Sequence, residues 1–257
     1  SKISSYVDGD IRDYNHLYRV FDTHPIEIVF HLAAQPIVRE SYRNPVYTYE
    51  TNTLGTVNLL DCVKKFDTVK SVVNITTDKV YLNYEDGRYF IEDDRLDGYD
   101  PYSNSKSCSE LVTKCFTRSY FADGRCKVAT VRAGNVIGGG DFAKDRILPD
   151  CVRALENNTN LIIRSPESIR PYQHVLDALA VYLAIAEKQY KDASTSQRSC
   201  ASYNVGPDTS DYITTGALVE KFYSYFDNKP WFVSKDTELH EANLLLLDTS
   251  KIKSLFN

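Results

Sequence analysis

Tyr102 and Lys106 stand four residues apart in the run PYSNSK, a spacing that places both side chains on one face of a helix. An ammonium beside a phenol favours the phenolate, so a group with an ordinary pKa of about 10 becomes a usable base nearer neutrality. Such a pair suits removal of a proton from an alcohol as its carbon is oxidised. The run Ile75-Thr76-Thr77-Asp78-Lys79 adds a hydroxyl, a carboxyl and an amine directly after an apolar stretch. Thr77 is placed to hydrogen-bond the alcohol that Tyr102 deprotonates, and Asp78 and Lys79 are an acid and a base side by side. Each short motif also has an ordinary explanation, since YxxxK recurs in helices by chance and Asp-Lys is a common solvated turn. Their order along the chain, and the strand that precedes the second, carry the argument.

The elements that must position these groups are legible from hydrophobic spacing. Ile28 to Ala33 (IVFHLA), after the turn signal His24-Pro25, predicts a strand buried on both faces of a parallel sheet. Tyr47 to Phe66 predicts a long helix, with Leu54, Val57, Leu60 and Val63 on one stripe and Lys64 and Lys65 in the last turn. The alternation repeats as a strand at Ser71 to Ile75, a helix at Tyr102 to Phe121 and a strand at Lys127 to Val131. Strands joined by helical crossovers imply right-handed βαβ units and a Rossmann-like, doubly wound parallel α/β sheet, whose ligands bind at the carboxyl ends of the strands.

Beyond Gly134 the pattern is less regular. It predicts a loop through Gly138-Gly139-Gly140, helices at about Leu148 to Glu156, Val175 to Glu187 and Thr215 to Phe226, and strands at Leu161 to Ile163, Tyr203 to Gly206 and Trp231 to Val233. A short apolar run follows at Leu244 to Leu247, and Asp192 to Ser202 reads as a Ser- and Thr-rich surface loop. Two regions are therefore expected: a dinucleotide-binding part over 1–133 and a smaller, mainly substrate-binding α/β part over 134–257, some of whose segments return to the first.

With 257 residues, 42% hydrophobic and 25% charged, the composition is that of an ordinary globular protein. No apolar run approaches the roughly 20 residues of a membrane helix. A net charge of -5 argues against nucleic acid as the main partner. The six cysteines contain no CxxC pair and lie near no His at metal-ligand spacing, so they read as reduced thiols with no metal site. The first residues, Ser1-Lys2, lack the pattern of a secretory signal, which makes the cytoplasm the default compartment.

Six runs occur in a fixed order: HLAAQP (31–36), TNTLGT (51–56), TTDKVY (76–81), DPYSNSK (100–106), RAGNVIGGGD (132–141) and RPYQHV (170–175). Together they resemble the extended short-chain dehydrogenase/reductase family, over nearly the whole chain from Gly9 to about Ser250. Within it, Asp78-Lys79 together with Tyr102 is most similar to the CDP-glucose branch of the 4,6-dehydratases. The dTDP-glucose branch typically has Asp-Glu after the Thr, and the epimerases have no acid/base pair there.

The resemblance implies an NAD-dependent hydro-lyase acting on a nucleotide sugar, CDP-glucose, in deoxysugar biosynthesis. Tyr102, helped by Thr77 and Lys106, would take the proton of the 4-hydroxyl, Lys79 the hydrogen at C5, and Asp78 would protonate the departing 6-hydroxyl. For the cofactor it implies Asp10 and Ile11 at the adenine, with Leu32, Ala33, Ala34, Gln35 and Asn52 beside Tyr102 and Lys106. For the substrate it implies Asn135, Arg146 and Arg170, the last on the pyrophosphate. His174 reads instead as a structural hydrogen-bonder. A homodimer through the helices at 45–66 and 101–121 is also implied. Alternative readings are a nucleotide-sugar 4-epimerase, a dehydratase of another nucleotide sugar, or a non-catalytic nucleotide-sugar-binding protein on the same fold. No Gly-rich GxxGxxG or GxGxxG turn precedes Asp10, so the N-terminal βαβ part of the cofactor domain is expected to be missing. The chain as written is thus expected to be part of a longer enzyme, and to bind NAD poorly alone.

Overall fold

The computed structural model describes residues 3–192, 200–226, 229–234 and 242–256. In chain order the first part runs α1 (Tyr14–Thr23), β1 (Ile28–His31), α2 (Val38–Arg43), α3 (Pro45–Tyr49), a π-helical turn (Glu50–Leu54), α4 (Gly55–Lys65) and β2 (Ser71–Ile75). A 3₁₀ turn (Asp78–Val80), α5 (Pro101–Tyr120) and β3 (Lys127–Ala133) complete it. The second part holds β4 (Val136–Ile137), α6 (Ile147–Glu156), β5 (Leu161–Ile163), β6 (Ile169–Arg170), β7 (Gln173–His174) and α7 (Val175–Lys191). It ends with β8 (Ala201–Val205), β9 (Ile213–Thr214), α8 (Thr215–Tyr223), β10 (Trp231–Val233) and α9 (Ser250–Leu255).

The main sheet has the order β1-β2-β3-β8, with every pairing parallel. Alternation along each strand decides which layer it serves. Val72 and Val128 face one core with Phe21, Leu59, Leu60 and Val63, whereas Val73, Ala129 and Val131 face another with Ala178, Tyr182, Ile185 and Ile252. Helices thus cover both faces, the Rossmann-like α/β arrangement expected of βαβ crossovers. The chain leaves this sheet after β3 and rejoins it at β8.

Between those strands lie three two-stranded pairs, β4-β7, β5-β10 and β6-β9. A third core forms where Cys151 and Ala154 of α6 meet Leu161, Ile163, Val219 and Tyr223. Among the described residues no helix is long and apolar enough to cross a membrane. None of their His, Cys, Asp and Glu side chains form a group of three or more that could hold a metal ion.

Three details depart from the sequence pattern. β1 is an edge strand of the described sheet, so only His31 is buried and Ile28 stays 38% exposed rather than enclosed on both faces. The expected helix from Tyr47 to Phe66 is interrupted by the π-helical turn, whose extra residue rotates the helix face. Leu54 therefore points outward, and the buried face of α4 is Thr56, Leu59, Leu60, Cys62 and Val63. The run at Leu244 to Leu247 forms only single bridges, Leu244 to Ile169 and Leu247 to Phe90. Of the Ser- and Thr-rich segment, residues 193–199 lie outside the described part of the chain.

Candidate active site

The carboxyl ends of β1, β2 and β3 bring together Leu32 to Gln35, Thr76 to Lys79, and Gly134 with Asn135. α5 closes the group from one face of the sheet. Its start is fixed by Asp100, whose carboxylate accepts from the Ser103 amide at 3.0 Å and the Ser103 hydroxyl at 2.6 Å, with Pro101 in the first turn. This cap sets where Tyr102 enters. Both Tyr102 and Lys106 are buried and face the end of β2, so the four-residue spacing does what it predicts for direction.

It does not pair the two charges as expected. The Lys106 ammonium donates to the Ile75 carbonyl at 3.0 Å. Burial pushes the Tyr102 phenol up, opposed chiefly by a hydrogen bond from Thr77 and the positive charge of Arg146. Lys106 is itself lowered to about 8 by burial, against the pull of Glu110. The physical reason is desolvation: in a closed protein interior each group resists charge before any ligand enters.

Asp78 is 2% exposed and lies in the 3₁₀ turn that follows Thr77. One carboxylate oxygen accepts from the Thr77 hydroxyl at 3.1 Å, and the other is buried with no hydrogen-bond partner among the described residues. Burial raises its pKa, resisted by the charges of Lys79 and Arg170. A carboxyl whose burial favours the protonated form is suited to donate a proton.

Asn52, in the π-helical turn, has every polar atom engaged. Its side-chain oxygen accepts from the Gln35 amide at 2.8 Å, and its amide donates to the Gln35 carbonyl at 3.1 Å and to Ser105 at 2.9 Å. Asn52 thereby pins the loop after β1 to α5. Asn52→Leu is expected to lower stability by about 1–3 kcal/mol, because the Gln35 amide and carbonyl are left buried and unmatched; urea denaturation measures it, and an unchanged midpoint would refute the role.

The Gln35 side chain turns inward to Ile37 and Thr48, whereas Leu32 and Ala33, at the start of the loop, are exposed. Leu32 is 53% exposed, an apolar shelf at the sheet edge. Asp10 is an exposed carboxylate held by Arg12 at 2.7 Å, an ion pair that keeps it below the usual range. The Ile11 side chain packs inward instead, against Gly55, where a Cβ would sit 2.7 Å away.

The third set lies across an open cleft that runs from Pro36 to Thr215. Its walls include Asn135, Arg146 and Arg170, as the sequence suggests, and also Lys79, Arg39 and Arg164. Arg164 pairs with Asp145 at 3.2 Å, and Arg170 donates to the carbonyls of Ile169 and Ala242. Close packing sets this wall: a Cβ on Gly134 would lie 2.7 Å from the Pro171 carbonyl oxygen. His174 is the N-cap of α7, its ring accepting from the Leu176 amide at 3.2 Å, a structural task. Arg39 and Arg164 escape sequence reasoning because a lone Arg in a six-residue helix, or in the bend after a short strand, carries no periodic signal.

A model of the GDP-mannose 4,6 dehydratase family matches residues 2–256. The chain belongs to this family. It is similar to CDP-glucose 4,6-dehydratase of Salmonella typhimurium, with 46% identity over 249 residues, which cover 95% of this chain and 68% of that protein. Among solved structures, the UDP-glucose 4-epimerase of Thermotoga maritima has the same fold, with a TM-score of 0.83 at 24% identity over 96% of this chain and 76% of the other. The dTDP-glucose 4,6-dehydratase of Streptomyces venezuelae, solved with NAD bound, gives 0.78 at 25% identity, covering 96% and 72%. A fold shared by epimerases and dehydratases leaves the distinction to the residues of the site.

Proposed function

We propose that this family member converts CDP-glucose to CDP-4-keto-6-deoxyglucose, removing the 6-hydroxyl as water. The observation that carries this is the buried Asp78 carboxyl, with one oxygen unpartnered, placed between Thr77 and Lys79 at the end of β2. Redox at a sugar alcohol requires Tyr102, Thr77 and Lys106 only; elimination needs a further acid and base.

The residues present fit NAD. Exposed Leu32 and Ala33 offer apolar surface at the sheet edge, Asp10 offers a carboxylate to its adenosine end, and the buried Lys106 lies behind Tyr102. NAD, when bound, supplies a reversible acceptor for hydride. Ile11, Ala34, Gln35 and Asn52 shape that site from behind, through packing and through the bonds that hold the loop.

In the proposed reaction Tyr102 takes the proton of the 4-hydroxyl, with Thr77 fixing the phenol and the alcohol. A ketone at C4 acidifies the C5 hydrogen, which Lys79 removes. Asp78 donates its proton to the 6-hydroxyl, which leaves as water while a C5=C6 double bond forms; the 6-deoxy product then requires that the hydride removed from C4 be returned to C6 and a proton be given to C5, which Lys79 is placed to supply. Burial suits Asp78 to this task, since it favours the protonated carboxyl. Arg146, Arg170 and Asn135 hold the nucleotide sugar, the arginines as planar, charge-assisted donors to phosphate oxygens. A homodimer through α3, α4 and α5 accords with the exposed Val46, Tyr47, Leu54 and Leu111 on those helices and the π-helical turn, and the expected compartment is the cytoplasm.

Lys79→Met is expected to lower product formation by about 10²–10⁴-fold, the usual worth of a positioned base. In D₂O the unaltered protein should place solvent deuterium at C5 of the product. Deuterium incorporated by Lys79→Met at the unaltered rate would overturn its role.

A further inference from the structure

Behind the candidate site lies a closed polar network that the reaction itself does not use. Arg132 and Glu110 are both fully buried, from β3 and α5 respectively. The guanidinium donates twice to the carboxylate, Nε to Oε1 and Nη2 to Oε2, each at 2.9 Å. Its remaining edge donates to Tyr81 Oη at 2.8 Å and to the Glu92 carbonyl at 2.9 Å. Glu110 also accepts from Thr130 at 2.8 Å and from Thr76 at 2.6 Å. All three guanidinium nitrogens and both carboxylate oxygens of the pair are thus engaged.

Two of these contacts reach the catalytic group. Thr76 directly precedes Thr77, so the 2.6 Å bond ties the end of β2 to α5. Glu110 follows Lys106 by four residues, one helical turn along the same buried face, and Lys106 holds the neighbouring Ile75 carbonyl. We propose that Glu110 is a positioning residue: its carboxylate, locked by Arg132, is the negative neighbour one helical turn from Lys106 and, through Thr76, fixes the placement of Thr77 and Asp78. The inference rests on the dehydratase reading for its catalytic meaning, but not for its physical content.

Groups facing Lys106 from each packed element enter the charge balance. His31 of β1 is neutral near physiological pH, lowered to about 3 mainly by burial and next by Lys106 itself. Tyr102 of α5 and Asp78 after β2 are both pushed toward their uncharged forms by burial. Arg132 of β3 is itself engaged by Glu110. Glu110 is accordingly the carboxylate that favours charged Lys106, and it stays ionised because Arg132 and the two Thr hydroxyls overcome its burial.

The test is a pH titration by ¹³C NMR of lysine-labelled full-length protein, with the Lys106 Cε resonance assigned through Lys106→Met. The unaltered protein should give a midpoint near 8. Glu110→Gln keeps hydrogen-bonding atoms but removes the charge, and should move the midpoint down by about one unit or more, the shift typical of losing a close opposite charge. The double variant Glu110→Gln/Arg132→Met, which leaves no orphaned cation, should fall between the two. A Lys106 midpoint unchanged in whichever variant folds overturns the proposal. Independently of any variant, the Glu110 carboxyl resonance should show no titration between pH 5 and 9, and a titration there would also overturn it. These readouts need no turnover, so failure of the dehydratase reading would leave a downshifted Lys106 midpoint intact. In an active enzyme, the same downshift should carry the alkaline limb of the kcat profile to lower pH.

Discussion

Tyr102→Phe is expected to lower turnover of CDP-glucose by about 10²–10⁴-fold, the range for loss of a positioned proton acceptor. The change removes one oxygen from a side chain that is only 9% exposed and leaves the ring to fill its place. Stability should therefore hardly move, and the thermal midpoint of the variant separates a chemical loss from a folding loss. The fall should appear in kcat rather than KM, because the phenol acts on the alcohol in the transition state more than on the bound sugar. Steady-state rates at saturating substrate check this. Unchanged turnover in Tyr102→Phe would remove the catalytic assignment altogether.

The largest effect on stability is expected at Arg132, where replacement by Leu leaves Glu110 buried without its bidentate partner. Removing one member of a buried pair typically costs about 3–5 kcal/mol. The pH dependence has a definite sign. In the unaltered protein the folded-state pKa of Glu110 lies below its ordinary value, so the carboxylate contributes stability above that value and loses it as pH falls. Without Arg132 the folded-state pKa rises above the ordinary value, and the variant loses stability as pH climbs through it. The gap between the two proteins should thus widen from pH 4 to pH 8, as urea denaturation at a series of pH values would measure. A gap that narrowed over that window would contradict the arrangement described for Glu110.

These two residues also illustrate what a sequence discloses. Tyr102 announces itself, because YxxxK after an apolar strand ending in Thr-Thr-Asp-Lys is a local pattern whose order survives folding. β2, β5, β10 and the body of α5 were equally legible, since each is a short apolar run or a capped helix. Glu110 and Arg132 were not. The buried face of α5 is polar, running through Ser103, Lys106, Ser107, Glu110, Thr113 and Thr117, so hydrophobic periodicity reads its inside as an outside. The faint available signal was the spacing itself, a carboxylate one turn beyond a catalytic Lys.

The π-helical turn at Glu50–Leu54 was hidden for a different reason. An inserted residue in a helix changes no residue type, yet it turns Leu54 outward and aims Asn52 at the Gln35 backbone. The pairing of Tyr102 with Lys106 shows a third limit. Spacing gave the direction of both side chains, but the strength of burial decides how each titrates, and burial is a property of the assembled molecule. The cation-lined cleft likewise gathers Arg39, Arg146, Arg164 and Arg170 from distant parts of the chain.

The central claim is that the acid and base at Asp78 and Lys79 turn oxidation of a sugar alcohol into loss of water. Incubating the purified protein with CDP-glucose and NAD, and following the sugar by NMR and by absorbance in alkali, tests it most directly. A 4-keto-6-deoxy product, with a new methyl group at C6, is the result predicted. Recovery of only the C4 epimer, with the 6-hydroxyl intact, would contradict it.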